Sequence, residues 1–174
     1  HLAFNLNESF EVGSAFEYFC VRFLVFPINS VFIYTLSSLC YALYLPFALL
    51  AEFRTRYRFY FRLDLKALYI APPDIGRLGI TEGFRVINLC NAFDVPSAPH
   101  IGSGLGIYTA ASLHVAAATE QLYLLEFQPS QIDVSDLYFS PSLRPAEGSY
   151  QLSLTPGLGV EPDEAKLSEH IFRT

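Results

Sequence analysis

Three titratable side chains, Asp74, His100 and Glu126, each stand at the end of a short apolar run. The stretch PPDIGRLGITEGFRVINLCNAFDVPSAPHIGSG, residues 72–104, reads as one strand–helix–strand unit. An apolar run over 67–71 leads to Asp74, an amphipathic helix covers about 81–92, and a short strand ends at His100. Parallel neighbouring strands point the same way. Asp74 and His100 are therefore predicted to emerge side by side at the carboxyl edge of a sheet, where α/β folds place their chemistry. An imidazole beside a carboxylate is a pair suited to moving protons near neutral pH. Such a pair can also serve packing alone, and Glu126, taken by itself, reads equally as a surface carboxylate.

The elements that must position these residues follow from the pattern around them. After His100, Gly102, Gly104 and Gly106 make a flexible turn, and IYTAASLHVAAAT, residues 107–119, is a helix whose alanines permit close packing on a sheet. The three glycines do not make a phosphate loop, because neither a P-loop lysine nor the acidic partner of a dinucleotide site follows them. QLYLLEF, residues 121–127, is a strand carrying Glu126 near its end. The tail from Pro129 is rich in proline and turns, holds the strand and glycine turn of YQLSLTPGLGV, and closes with a helix over about 163–170 after Pro162. Towards the front, residues 2–6 form a strand, 12–26 a helix, and 31–35 and 46–51 two further strands, the last leading to Glu52. The basic and aromatic block 54–66 has the spacing of an exposed crossover helix. Strands alternating with helices point to an α/β fold, either a (β/α) barrel or a doubly wound sheet. His114, in the middle of an alanine-rich helix, reads as a packed or capped histidine, and His1 and His170 are terminal.

Composition narrows the function classes. A chain of 174 residues with 52% apolar and 16% charged residues supports one domain with a substantial core. Its net charge of −6 argues against nucleic acid, whose phosphates call for a basic surface. Cys20, Cys40 and Cys90 are too scattered for a metal knuckle and odd in number, so reduced, buried thiols and a cytoplasmic location are expected. The opening HLAFNLNESF has no cationic segment of the kind that starts a signal peptide. No charged residue occurs from Phe23 to Ala51 and a basic cluster follows, which resembles a membrane span with its stop-transfer boundary. Two prolines and a Ser-Ser pair interrupt that run, and buried parallel strands are also continuously apolar, so no membrane contact is expected.

Taken with GIYTAASLHVAAAT, LLEFQ and TPGLGVEPDE, the stretch from Pro72 to His100 resembles the enolase superfamily, in the mandelate racemase and muconate lactonizing enzyme branch that includes sugar-acid dehydratases. The likeness is dense from about residue 55 to residue 164. It implies a TIM-type (β/α) barrel, of which this chain supplies about strands three to eight within residues 1–130. Residues 131–174 then form a C-terminal segment packing back towards a capping domain missing from this chain. The resemblance makes Asp74 and His100 a dyad at the ends of barrel strands six and seven, and Glu126 the carboxyl group that ends strand eight. The implied reaction is removal of an α-proton from a hydroxy-carboxylate, as in an acid-sugar dehydratase or racemase. That step creates an enediolate dianion, so it needs a base near neutral pKa and a fixed positive charge; enolase-superfamily sites use a Lys or His base with Mg²⁺. His100 would be the base or acid, Asp74 would hold its tautomer, and Glu126 would lie near the substrate carboxylate, protonated there as a donor.

The front half departs from that pattern. The superfamily holds its metal with carboxylates ending strands three, four and five, in motifs resembling DxN, EEP and GE. The matching positions here are Asn5 in NLN, Tyr34 in FIYTL and Glu52 in LAE. Glu52 and Asn5 are the metal ligands the resemblance leaves, and a hard dication such as Mg²⁺ prefers anionic oxygen to a phenol. The strand-two lysine motif and the capping domain would precede His1. Three origins fit such a chain: a fragment completed by another chain, a degenerate paralogue, or a first fifty residues corrupted in sequence. Two rivals to the enzyme follow, a non-catalytic barrel remnant or subunit and, third, a membrane-anchored protein. The expected partners are a small hydroxy-acid or sugar-acid and either a second copy or the missing barrel and capping portion. Which acid is not encoded in these residues, because capping loops set substrate choice in this superfamily.

Overall fold

A computed structural model describes residues 10–11, 53–102 and 104–170. In chain order its elements are β1 (Phe10–Glu11), α1 (Arg56–Asp64), α2 (Ile75–Ala92), α3 (Gly106–Ala117), α4 (Pro129–Tyr138), β2 (Phe139–Ser140), β3 (Ser149–Tyr150), β4 (Glu161–Pro162) and α5 (Glu164–Ser168). The expected strands over 2–6, 31–35 and 46–51, the helix over 12–26, and Asn5, Tyr34, Glu52, Cys20 and Cys40 lie outside the described residues. The apolar run from Phe23 to Ala51 lies outside them too; among the described residues no helix is long and apolar enough to cross a membrane.

Three extended segments run parallel and side by side between the helices. The first pairs with the second through Ala71 and Ser97 and again through Asp74 and His100, and the second pairs with the third through Ser97 and Leu122. The backbone ladder is regular: Ala71 N donates to Pro96 O at 2.9 Å, Ala98 N to Ala71 O at 2.8 Å, His100 N to Pro73 O at 3.1 Å, and Tyr123 N to Ser97 O at 2.8 Å. Prolines 72, 73, 96 and 99 lack a donor, which keeps these staves short. With α2 between the first two staves and α3 between the last two, the order is strand–helix–strand–helix–strand, an α/β arrangement.

The helix α2 starts six residues earlier than its amphipathic pattern suggests. Asp74 accepts a hydrogen bond from Arg77 N at 3.0 Å and caps a first turn, after which Gly79 breaks the helix with φ 74° and ψ 161°. The left-handed value suits glycine, and the regular amphipathic helix follows it. The helix α1 is exposed over most of its length, while Phe59 and Leu63, one turn apart, are buried with Phe53, Leu68, Ala71, Val86 and Cys90. Arg56 Nη1 joins α1 to α2 through Glu82 at 3.0 Å. Between α2 and α3 lie Ile75, Ile87, Ala111 and Val115. A third cluster, Ile101, Leu113, Ala116, Leu125 and Tyr150, joins α3 to the last stave and the tail.

The tail is more ordered than a proline-rich reading suggests, because Pro129 opens α4 rather than preventing it. The strand expected in YQLSLT is reduced to β3, which pairs antiparallel with β1 through Phe10 and Tyr150. Asp163 caps α5 by accepting from Lys166 N at 3.2 Å. His114 is packed and bonded, its Nε2 lying 3.2 Å from Leu158 O.

Candidate functional site

Asp74, His100 and Glu126 meet at the carboxyl ends of the three staves. The paired backbones of Asp74 and His100 bring His100 Nδ1 to 3.2 Å from Asp74 Oδ2. His100 Nε2 faces Glu126 Oε2 at 3.7 Å. Asp74 is buried, while the His100 side chain keeps 22% of its exposure and Glu126 16%, so the imidazole is open on one side.

Every oxygen of the buried Asp74 carboxylate has a partner. Oδ1 takes Arg77 N and the Tyr108 hydroxyl; Oδ2 takes His100 Nδ1 and Arg77 Nε, the last at 3.2 Å. Burial alone raises a carboxyl pKa, but here hydrogen bonds from His100, Tyr108 and Arg77 N, with the charge of His100, outweigh it and hold Asp74 below the usual carboxylate range. An ionised Asp74 makes Nδ1 the donor and leaves Nε2 as the lone pair of the neutral ring. Burial pulls His100 down, yet the bond to Asp74 and the charges of Glu126 and Asp74 win against it and against Arg77, so His100 sits above its ordinary value. Glu126 is also raised. Burial dominates there over the charge of His100, the 2.7 Å bond from Ile101 N and the 2.9 Å bond from Gln128 Nε2. The arrangement can accept a proton on Nε2 and return it, beside a carboxyl group whose pKa burial raises.

Two residues at the site carry no signal as strand ends. Arg77 lies in the first turn of α2 and reaches back to its cap. Tyr108, in the first turn of α3, reaches Asp74 across Gly76 and Gly104, at whose Cβ positions a methyl would stand 1.7 Å and 2.1 Å from ring atoms of Tyr108. Neither glycine has a positive φ. The glycines after His100 therefore matter for the space they leave to an aromatic ring, and that spacing, beside a tyrosine on the next helix, is the signal the sequence held.

The named metal ligands, Glu52 and Asn5, lie outside the described residues, and among the described residues no group of three or more His, Cys, Asp or Glu side chains could hold a metal ion.

An α/β core thus carries an aspartate–histidine pair and a glutamate at the ends of successive parallel staves. Residues 1–166 match the family described as enolase C-terminal domain-like, and the chain belongs to it, within the mandelate racemase and muconate lactonizing enzyme branch of the enolase superfamily. It is 28% identical over 168 residues to an arabinonate dehydratase of Saccharolobus solfataricus, covering 96% of this chain and 44% of that protein. A solved enolase-superfamily member from Agrobacterium tumefaciens is 31% identical with a TM-score of 0.73, over 82% of this chain and 37% of that one. An enolase from Agrobacterium radiobacter, solved with Na and L-malate bound, is 27% identical with a TM-score of 0.71, over 82% of this chain and 40% of that one. The chain thus spans less than half the length of these relatives.

Proposed function

We propose that the chain is the part of an enolase-superfamily (β/α) barrel that moves the proton, acting on a hydroxy-carboxylate of the acid-sugar class. The three parallel staves correspond in this view to the last three of eight, residues 1–130 to strands three to eight, and residues 131–174 to a segment serving a capping domain supplied from elsewhere. The observation that carries the proposal is the 3.2 Å contact of His100 Nδ1 with buried Asp74, which leaves Nε2 free at the rim. The dehydratase name of one relative and the L-malate bound to another, itself a hydroxy-carboxylate, support the substrate class.

In the reaction, His100 Nε2 takes the proton from the carbon beside the substrate carboxylate, and the electron pair left behind moves into that carboxylate as an enediolate. Asp74 keeps Nδ1 protonated and stabilises the imidazolium. The Glu126 carboxyl, when neutral, donates to a carboxylate oxygen. In a racemase a second acid delivers a proton to the opposite face of the carbon; in a dehydratase His100 as acid gives its proton to the departing hydroxyl, which leaves as water. General acid–base help of this kind contributes roughly 10²- to 10⁴-fold.

The superfamily characteristically works with Mg²⁺, which supplies positive charge to the enediolate when bound. Glu52 and Asn5 are the residues that would hold it, but with Tyr34 as the third donor the set offers one carboxylate, a poor fit to a dication that favours anionic oxygen. No step above runs through the metal. This donor set also favours a second reading, a non-catalytic barrel remnant or subunit. Calorimetry with Mg²⁺, followed by NMR of α-proton exchange into a hydroxy-acid in D₂O, separates the two. Stoichiometric binding and exchange abolished by His100→Asn support the enzyme; no binding at millimolar metal and no exchange support the remnant. We place the protein in the cytoplasm, on the free thiol of Cys90, and expect it to work as a homo-oligomer or joined to a complementary barrel portion.

A further inference from the structure

We propose that Tyr108 is a positioning residue of the Asp74–His100 pair: its hydroxyl closes the carboxylate oxygen that His100 leaves free and sets how strongly Asp74 acts on the imidazole. This inference rests on the assignment of His100 as the proton-moving group. Three observations carry it.

First, the hydroxyl is fully committed. It accepts from Gly102 N at 3.1 Å, so its own proton is left for Asp74 Oδ1. Second, the approach is built for a ring. A Cβ at Gly76 would lie 1.7 Å from Tyr108 Cε2, one at Gly104 2.1 Å from Cγ, and one at Gly102 2.9 Å from the hydroxyl itself. Third, the oxygen that Tyr108 occupies belongs to the same carboxylate that receives His100 Nδ1 on its other oxygen. A phenylalanine would fill the ring space. It would not supply the proton.

The physical consequence has a definite sign. Each donor on Asp74 withdraws negative charge from the carboxylate and weakens its hold on an imidazolium. Among the described residues, the charged and titratable groups facing His100 are Asp74 and, from the start of α2, Arg77, with Glu126 from the third stave. Tyr108 reaches it from α3 through Asp74. Removing the hydroxyl leaves the other three in place and returns charge to Asp74, so His100 holds its proton to higher pH.

The test is a titration of the full chain, labelled with ¹⁵N-histidine, followed at Nδ1 and Nε2 of His100 with and without Tyr108→Phe. The expected result is a His100 midpoint moved upward. A Tyr108→Phe protein that stays folded while its His100 midpoint is unchanged, or moves downward, overturns the proposal; a hydroxyl that only packs would change thermal stability and leave that titration alone. Should Tyr108→Phe not fold, 3-fluorotyrosine placed at position 108 keeps the shape and makes the phenol a stronger donor. The His100 midpoint should then fall, and an unmoved midpoint again overturns the role. Neither measurement contains substrate. An absence of α-proton exchange would defeat the enzymatic function and leave this result readable by itself.

Discussion

Replacing Asp74 by asparagine tests the site at the atom on which its chemistry turns. The aspartate accepts from four donors, and asparagine can present an acceptor on one side only. With its oxygen at the Oδ1 position it keeps Arg77 N and Tyr108 satisfied, and asparagine caps helices as well as aspartate. Its amide nitrogen then stands where Oδ2 was, facing His100 Nδ1 and Arg77 Nε. Two N–H groups cannot share that contact. The imidazole resolves it by moving its proton to Nε2, so that Nδ1 accepts. The lone pair that could take a substrate proton is lost, an exchange of tautomer that in the Ser-His-Asp triad costs about 10⁴-fold in rate. The energetic effect is smaller. Loss of one hydrogen bond to a charged group costs roughly 1.5–3 kcal/mol, part of which the new bond restores. A net cost of about 2 kcal/mol lowers the melting temperature by roughly 4–8 °C for a domain of this size. The assay is the ¹⁵N spectrum of His100 at a pH where the ring is neutral, beside thermal denaturation of both proteins. An Asp74→Asn protein whose neutral His100 still carries its proton on Nδ1 would refute the reasoning.

Further expectations follow from the same geometry. The folded value of His100 is raised, so its contribution to stability is complete below the unfolded value and fades as pH climbs through the folded one. Asp74 is lowered, so its contribution is present above the unfolded carboxylate value and fades as pH falls through the folded one; denaturation followed across pH should lose the first in Tyr- and Asp-intact His100→Asn and the second in Asp74→Asn. Glu126→Gln keeps an acceptor for Ile101 N but removes a negative charge 3.7 Å from Nε2, so His100 should titrate lower by NMR. Gly104→Ala drives a methyl into Tyr108 and should cost about 1–3 kcal/mol of overpacking in chemical denaturation, with a disturbed His100 signal. Burial pushes the Cys90 thiol up to about 12, so peptide-resolved alkylation of Cys90 should be negligible in the folded chain and rapid in denaturant.

The parts of the fold that were legible are those where one residue type has one structural meaning. A polar titratable residue directly after an apolar run marks a stave end, and two such ends around one helix imply a parallel pair, so the neighbouring emergence of Asp74 and His100 could be read from residues 67–100. The kink at Gly79 hid the first turn of α2, because an amphipathic pattern registers only the regular helix beyond it. The helix α1 is exposed over most of its length, as its arginines imply, while Phe59 and Leu63 bury one narrow face. The helix α4 lies in a tail whose prolines and turns suggest no helix at that point, although proline at the first helical position costs no hydrogen bond. The one trace of Tyr108 along the chain is the glycine spacing that precedes it. Its meaning arises only when α3 is laid beside the start of α2, a contact across 34 positions that no local pattern encodes.

On the proposed reading, the groups that move the proton and the positions left for a metal belong to different parts of the chain. Asp74, His100 and Glu126 end consecutive staves whose backbones bond to one another, and the clusters between α1, α2 and α3 hold those staves in register. Folding of that unit assembles the pair, because a buried Asp74 is tolerated only with its donors in place. On the same reading, Asn5 and Tyr34 standing where the superfamily has carboxylates would remove charge that the enediolate needs. Such a chain would, as proposed, keep an imidazole able to take a proton, and the resulting anion would draw its stabilisation from Glu126 as a donor and from whatever cation Glu52 and Asn5 attract.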